Sequence, residues 1–389
     1  MSRTEPNVRI GIKVDTAAVF VSASAASQLV DRDGNTIARP QANDRWTFHS
    51  DSSGRITGQS AAGETASTTA GPLILRTPDQ AFVTIGDKVY RGDVLLRAAG
   101  PGRISAINVL EMEQYLLGVV GFEIGHLAPS QIEAVKAQAI AARTYSMGGM
   151  GSRNALGFDF YPTVADQVYG GTSGEDSVVT RAVLETRGEI LTHNGQPILA
   201  YYSSTCGGHT ADVDESWPWR PPQPYLKGRS DTDQNGEAYC KTSRRYRWTQ
   251  SWSGDSLRAV LQRTLAERLR NPSFKVSRVE DVRLDGKTES GRATAVVVTV
   301  DGVDYRVRAD SIRWLLRPTA NVILNSSLIL DLNASKSAGA VTALEVQGGG
   351  WGHGIGMCQV GAIGRAGAGQ NYRQILSAYY TDTEVQRLY

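Results

Sequence analysis

An alanine-rich segment, residues 131–146, constrains the fold more than any other part of this 389-residue sequence. Alanine is the best helix former, so the segment is predicted to be a helix. Ser130 opens it and Glu133 follows three residues later, a spacing that predicts a capping box. Because its small side chains let other elements approach closely, we expect a buried central helix.

The residues before this helix predict β structure. Residues 8–14 alternate apolar and polar side chains, as a half-buried strand does, and further short strands are predicted before residue 108. Residues 50–71 are almost entirely Ser, Gly, Thr and Ala, which predicts a flexible loop or insertion.

Strands return after the helix. Residues 188–192 and 198–202 are predicted to pair through Asn194-Gly195. Residues 255–270 predict an amphipathic helix, and residues 293–300 predict a strand whose hairpin partner, 305–308, follows the Asp301-Gly302 turn. The predicted class is α+β: a mixed-strand core around a buried Ala-rich helix, with β-rich N-terminal and inserted subdomains.

Composition excludes some classes of protein. The formal charge of +2 is too small for the strongly basic face of a nucleic-acid binder. The sequence contains no run of 18 apolar residues, so it predicts no membrane span. The first six residues lack the pattern of a signal peptide, which leaves open a cytoplasmic protein or a mature piece without its leader.

Glu123 is the first candidate for chemistry. It is predicted to lie in a loop just past an apolar helix, between Phe122 and Ile124. Such neighbours would partly desolvate the carboxyl group and raise its pKa. A raised pKa suits a general acid for glycoside cleavage at neutral pH. The alternative is a solvated loop glutamate.

A glycine cluster at residues 348–356, with Trp351 and His353, is the second candidate. Alternating glycines allow unusual backbone conformations and close approach to a ligand. The alternative is a tight structural turn with a core histidine. A hydrolase built on Cys358 and His353 is disfavoured, because a glycine-rich loop holds a base poorly against a nucleophile.

Cys206, His209 and Cys240 form the third candidate. They could supply three zinc ligands. Cys206 and Cys240 could instead form a disulfide, worth roughly 3–4 kcal/mol in the chain-entropy model. Three unconnected residues are the other alternative. Cys358 is left over in each case.

Four segments in order resemble the stage II sporulation protein D and amidase-enhancer family: residues 90–92, 115–123, 133–145 and 350–357. The resemblance runs from about Tyr90 to the C-terminus. It departs from the family pattern at Cys358, where serine is usual.

The resemblance implies a lytic transglycosylase that cleaves peptidoglycan glycan strands, stripped of peptides by a partner amidase, to 1,6-anhydro-muramic acid products. Glu123 matches the family's essential glutamate. The alternatives are a non-catalytic glycan-binding enhancer of a cell-wall amidase, and a lysozyme-like hydrolase. The resemblance implies these substrate contacts: Lys136, Arg143, Gln167, Tyr169, Tyr202, Ser203, Ser204, Trp351, His353 and Gln359.

The resemblance also implies a location outside the cytoplasm, whether periplasmic, cell-wall or secreted. A disulfide persists there, which favours a Cys206–Cys240 bond over zinc. We expect no required cofactor, with structural zinc left open, and no nucleic-acid partner. The expected division is a β-rich N-terminal region (1–108), a catalytic core with central helices (109–254), an α/β subdomain (255–340) and a C-terminal part (341–389) that completes the core.

Overall fold

The computed structural model describes residues 4–68 and 71–389. The chain forms two compact units: residues 1–199 with 385–389, and residues 200–384. Helices and strands occur in both, which confirms the predicted α+β class. Within the described ranges, no helix is both long and apolar enough to cross a membrane. The four-part division stays a prediction.

Among the described residues, twelve strands begin the first unit and form two six-stranded sheets. One sheet has the order β1-β12-β11-β8-β3-β4, and the other has β10-β9-β2-β5-β6-β7. The strands are β1 (Asn7–Thr16), β2 (Val19–Ala23), β3 (Gln28–Val30), β4 (Thr36–Ala38), β5 (Trp46–Ser50), β6 (Ile56–Ser60), β7 (Thr65–Ser67), β8 (Leu73–Arg76), β9 (Phe82–Ile85), β10 (Lys88–Arg91), β11 (Asp93–Gly100) and β12 (Arg103–Glu111).

The predicted flexible loop at 50–71 is wrong at residues 56–60 and 65–67, which form strands, and residues 69 and 70 lie outside the described residues. Strands β6 and β7 pair within it. Ile56, Gly58 and Ser60 alternate inward along β6, and Gly58 leaves room for the buried ring of Phe48. Burial therefore alternates along this strand, but its small inward residues give the segment the composition of a loop.

Three helices and a small sheet complete the first unit. The helices are α1 (Met112–Ile124), α2 (Ile132–Gly149) and α3 (Ser177–Glu185). The sheet has the order β14-β13-β23 and comprises β13 (Glu189–His193), β14 (Gln196–Pro197) and β23 (Glu384–Arg387). Helix α2 packs against α1, α3 and β13, and its alanines are fully buried. The buried central helix is confirmed.

Two local predictions fail here. The capping box is absent, because a 3-10 turn, Pro129–Gln131, precedes α2 and Glu133 pairs with Lys136 instead. The predicted strand at 198–202 does not continue from the Asn194-Gly195 turn. After the turn, the two residues of β14 pair with β13, and Tyr202 belongs to a separate strand, Tyr202–Ser203.

The second unit contains three small sheets and five helices. The strands are β15 (Tyr202–Ser203), β16 (Arg247–Ser253), β17 (Val279–Leu284), β18 (Ala295–Val300), β19 (Val303–Arg308), β20 (Ile329–Ser337), β21 (Ala340–Gly349) and β22 (Met357–Cys358). The helices are α4 (Val213–Ser216), α5 (Gly254–Arg268), α6 (Ile312–Leu315), α7 (Gln359–Gly367) and α8 (Tyr372–Tyr379).

The elements between residues 247 and 349 share an apolar core. Helix α5 packs on sheets β16-β21-β20 and β17-β18-β19 through leucine and valine side chains such as Leu257, Leu261 and Val298. The predicted helix at 255–270 and the β18–β19 hairpin are confirmed. The β15–β22 pair is parallel and joins two distant parts of the sequence.

Candidate functional site

Glu123 lies in the last turn of α1 rather than in a loop. Its side chain is half-buried, and the backbone N–H of Val168 donates to its Oε1 at 2.8 Å. The bland alternative, a solvated loop glutamate, therefore does not describe it. A backbone donor cannot rotate away, so the carboxyl group has a fixed orientation.

The residues on either side of Val168 anchor this donor. Gln167 Oε1 accepts from Tyr115 Oη at 3.2 Å and from Ser146 Oγ at 2.8 Å. Tyr169 Oη donates to Asn108 Oδ1 at 2.8 Å. Burial raises the pKa of both tyrosines, so their hydroxyls keep the protons that these bonds need.

Two glycines in α1 bring the anchored segment against the helix. A Cβ on Gly121 would lie 2.3 Å from the carbonyl oxygen of Gly174, and one on Gly118 would lie 2.5 Å from the Tyr169 ring. The N–H of Gly170 also donates to the carbonyl of Gly118 at 3.1 Å. Close helix packing thus places the Val168 N–H beside Glu123.

Three predicted substrate contacts in this unit are buried. Gln167 and Tyr169 are the anchors described above, with exposures of 0% and 2%. Arg143 is fully buried and forms a two-pronged ion pair with Glu113 at 2.7 and 2.8 Å. In this conformation all three side chains bond within the protein and have almost no exposed surface, and their contact with substrate stays a prediction.

Lys136 has a different environment. Its ammonium group bonds to Glu133 at 2.8 Å and to Glu185 at 2.7 Å, and its side chain is 13% exposed. These pairs link α2 to the end of α3. Its contact with substrate stays a prediction.

The glycine-rich loop has the unusual backbone that the sequence predicts. Gly352 and Gly354 have φ values of +107° and +78°. A Cβ at Gly352 would lie 2.8 Å from Cβ of Ser203, and one at Gly354 would lie 1.9 Å from Arg292. The close approach is therefore to the protein itself, and not to an open space for a ligand.

His353 projects from this loop into an aromatic cluster. Its ring centroid lies 4.7 Å from that of Trp217 and 6.3 Å from that of Tyr201. Nδ1 accepts from the N–H of Ile355 at 3.0 Å, and the ring also bonds to the backbone of Tyr202. Burial and the charge of Arg313 lower the pKa of His353 to about 3, so the ring stays neutral.

The remaining predicted contacts lie around this loop. Tyr202 and Ser203 form β15, and Ser203 Oγ accepts from the N–H of Gly354 at 3.2 Å. Trp351 is half-buried, with the guanidinium of Arg245 3.6 Å from its ring centroid. Ser204 is half-buried beside β15, and Gln359 is a buried first residue of α7. Their contact with substrate stays a prediction.

The three cysteines lie together as free thiols. Cys206 Sγ is 3.7 Å from Cys240 Sγ, which confirms their predicted proximity, although no disulfide joins them. His209 is not part of the cluster, and its Nδ1 lies 2.6 Å from the carbonyl oxygen of Thr210. Asp231 and Cys358 complete the cluster, and the sequence analysis assigned neither of them to it.

Titration of the cluster follows from its burial. Burial raises the pKa of Cys206, Cys358 and Asp231. Hydrogen bonds from the other two thiols lower the pKa of Cys240.

Asp231 could have been suspected as a member of the cluster, because it lies in the polar segment between Cys206 and Cys240. The Val168 amide has no side-chain signal that a sequence could show.

Comparison with known proteins identifies the family. A family model described as "Stage II sporulation protein" matches residues 101–193, the segment that contains Glu123 and α2. Stage II sporulation protein D of Bacillus subtilis is 30% identical over 299 residues, which cover 72% of this chain and 76% of that protein. The chain belongs to the stage II sporulation protein D family. The membership confirms the resemblance and supports a role connected with the cell wall.

Two other relatives of this chain match it over different shares of their own length. Amidase enhancer of Bacillus subtilis is 31% identical and covers 69% of this chain, but the match spans only 40% of that protein. An uncharacterized protein of Brachyspira hyodysenteriae is 30% identical over 72% of this chain and 67% of its own length. A second family model, for a domain of unknown function, matches residues 231–356.

Proposed function

We propose that the protein is a lytic transglycosylase of peptidoglycan glycan strands, with Glu123 as its acid and base. The position of Glu123 carries this proposal. It is half-buried at the end of α1, held by the Val168 N–H, within the segment that the family model matches. Fixed orientation is what a catalytic proton donor requires, since proximity and alignment lower the barrier.

The proposed reaction needs one carboxyl group. Protonated Glu123 gives its proton to the glycosidic oxygen that leaves a muramic acid unit, and the sugar develops oxocarbenium character. The resulting carboxylate takes the proton of that sugar's 6-hydroxyl, whose oxygen closes the 1,6-anhydro ring. Glu123 ends as it began, and no water is consumed. A second catalytic carboxylate is therefore not required.

The aromatic cluster of the second unit suits a sugar polymer. Tyr201, Trp217 and His353 present rings at angles of 41° to 86°, and Trp217 is half-buried. Aromatic rings combine an apolar face with a polar edge. A neutral His353 also adds no charge that would favour or repel the substrate's lactyl groups. We assign this cluster to glycan binding.

Location and partner follow from the substrate. Peptidoglycan lies outside the cytoplasm, so we place the protein there. The similarity to a protein named Amidase enhancer supports a cell-wall amidase as a partner that removes stem peptides. It also supports a second candidate function, in which the chain binds glycan and stimulates the amidase without cleaving the strand itself.

The test is cleavage of peptide-free glycan strands by purified protein, with products identified by mass spectrometry. We expect 1,6-anhydro ends, which are one water lighter than the reducing ends of a hydrolase. Glu123→Gln should lower the rate by about 10²–10⁴-fold, because the amide has nearly the same shape but cannot deliver a proton.

Glu111→Gln is the matched control, since Glu111 is an exposed glutamate immediately before the same helix. It should cleave at the wild-type rate. Strand binding without any cleavage by the wild-type protein would select the enhancer function. Cleavage by Glu123→Gln within threefold of wild type would remove Glu123 from the role.

A further inference from the structure

The cluster of cysteines contains three thiols and one carboxyl group. Cys206, Cys240 and Cys358 are fully buried, Asp231 is 1% exposed, and their ligand atoms all lie within 4.8 Å of one another. Three separate segments supply them: the chain after β15, the loop that contains both Asp231 and Cys240, and the end of β22. We propose that these four residues form a structural site for one Zn²⁺.

The spacing fits a tetrahedral metal site. Zinc–sulfur bonds of about 2.3 Å in a tetrahedron place two sulfurs about 3.8 Å apart. Cys206 Sγ and Cys240 Sγ are 3.7 Å apart, and Cys206 Sγ is 3.3 Å from Asp231 Oδ2. A disulfide would require sulfurs about 2.0 Å apart and would leave one thiol and the carboxyl group buried beside it. Four donors around one point favour a metal.

Backbone amides point at the sulfurs. The N–H of Cys206 and that of Gly361 donate to Cys358 Sγ at 3.1 and 3.2 Å. The N–H of Gly208 donates to Cys206 Sγ at 3.4 Å. Metals bind thiolate rather than thiol, and N–H donors stabilise the thiolate. The folded chain therefore prepares the sulfurs as ligands, and binding releases their protons.

Asp231 is oriented as a ligand by groups behind it. Its Oδ1 accepts from Tyr379 Oη at 2.9 Å and from Arg365 Nε at 3.0 Å, while Oδ2 faces Cys206. At metal sites, hydrogen-bond partners of this kind fix the orientation of the residues that bind the metal. The carboxylate thus supplies the fourth donor in place of His209.

Charge balance gives an independent argument. Three thiolates, one carboxylate and Zn²⁺ carry a net charge of −2. The buried cations Arg365 and Arg292 lie beside the cluster, and Arg292 donates to the carbonyls of Cys206 and His209. Its Nε has no hydrogen-bond partner among the described residues. Glu215 and Asp310 also act on Arg292, and an anionic cluster would further offset the cost of burying its charge.

The full chain, purified without chelator, is expected to contain about one zinc ion, measured by plasma mass spectrometry. Replacement by Co²⁺ should give intense sulfur-to-cobalt charge-transfer absorption with tetrahedral d–d bands. In denaturant without reductant, all three thiols should react once chelator is added. A protein with no zinc, no cobalt spectrum and a single reactive thiol would establish the disulfide and overturn the site.

Variants test the ligand set. Asp231→Asn and Cys358→Ser should each weaken zinc binding at least tenfold in competition with a coloured chelator, whereas His209→Ala should bind as wild type does. Loss of zinc from His209→Ala, with retention in Asp231→Asn, would overturn this ligand set. If a variant does not fold, the wild-type cobalt spectrum still decides. The site is independent of glycan cleavage, so either proposal can fail alone.

Discussion

At the scale of single residues, His353 is expected to make stability depend on pH. Its pKa is about 3 in the folded chain, against an ordinary value of about 6.5. Below pH 6.5 the unfolded chain binds a proton that the folded chain refuses, so the free energy of unfolding falls with falling pH. Between pH 7 and 5 this contribution is at most about 2 kcal/mol.

His353→Asn provides the measurement. The Asn amide oxygen can accept from the Ile355 N–H as Nδ1 does, but it does not titrate. Urea unfolding at pH 7 and pH 5 should show a smaller loss for this variant than for the wild type. Equal losses would mean that His353 is protonated in the folded protein.

The Glu113–Arg143 pair is expected to be essential for stability. Arg143→Met would leave the Glu113 carboxylate buried with weaker partners, Tyr389 Oη and the N–H of Gly188. Breaking a buried pair in this way costs about 3–5 kcal/mol, measurable by chemical unfolding. Arg181→Met breaks the exposed Arg181–Glu185 pair and is the control, with no measurable loss expected.

At this scale the sequence does not show which way a side chain faces. Arg143, Gln167 and Tyr169 were assigned to substrate because they lie in segments that resemble the family. The structure gives them burial and internal partners. A motif shows that a residue type is needed at a position, but it does not show whether the side chain faces a ligand or a neighbouring helix.

At the scale of elements, α1 is expected to depend on its glycines. Gly121→Ala should favour the helix by about 1 kcal/mol from propensity alone. However, the new methyl group would meet the backbone oxygen of Gly174 at 2.3 Å and displace the segment that carries the Val168 N–H. We expect a loss of glycan cleavage of at least tenfold with retained helix content, measured by product release and circular dichroism.

Gly148→Ala in α2 is the matched control, because its added Cβ would lie 3.5 Å from the nearest atom, an ordinary contact. It should retain full activity. If both variants cleave equally, the packing of α1 does not position Glu123.

Helices and strands were predictable from the sequence where their composition or the periodicity of their apolar residues gives a clear local pattern. The alanine-rich α2 and the β18–β19 hairpin were predicted from composition, alternation and a turn. Strand β6 was missed because its inward positions include Gly58 and Ser60, which carry no apolar signal. Strands β15 and β22 are two residues long and are paired by tertiary contacts, so no local pattern could reveal them.

At the scale of the whole molecule, the cluster of Cys206, Asp231, Cys240 and Cys358 depends on tertiary structure. Cys206 and Cys358 are 152 positions apart, and their contact depends on the parallel β15–β22 pair. The sequence showed three cysteines and could not show that all three meet. The position of Asp231 between Cys206 and Cys240 was a hint, but its orientation depends on Tyr379 and Arg365 from the chain's end and could not be read from the sequence.

Removal of zinc is therefore expected to loosen one unit and spare the other. The cluster ties together residues 203–210, 228–241 and 356–361, all within the unit of residues 200–384. Helix α2 belongs to the first unit and is covered by its own neighbours α1, α3 and β13. Hydrogen–deuterium exchange with and without a zinc chelator should show faster exchange in the three tied segments and unchanged exchange in α2. Unchanged exchange throughout would show that any bound metal does not hold the fold, and equal acceleration in α2 would show that its effect is not confined to the unit that binds it.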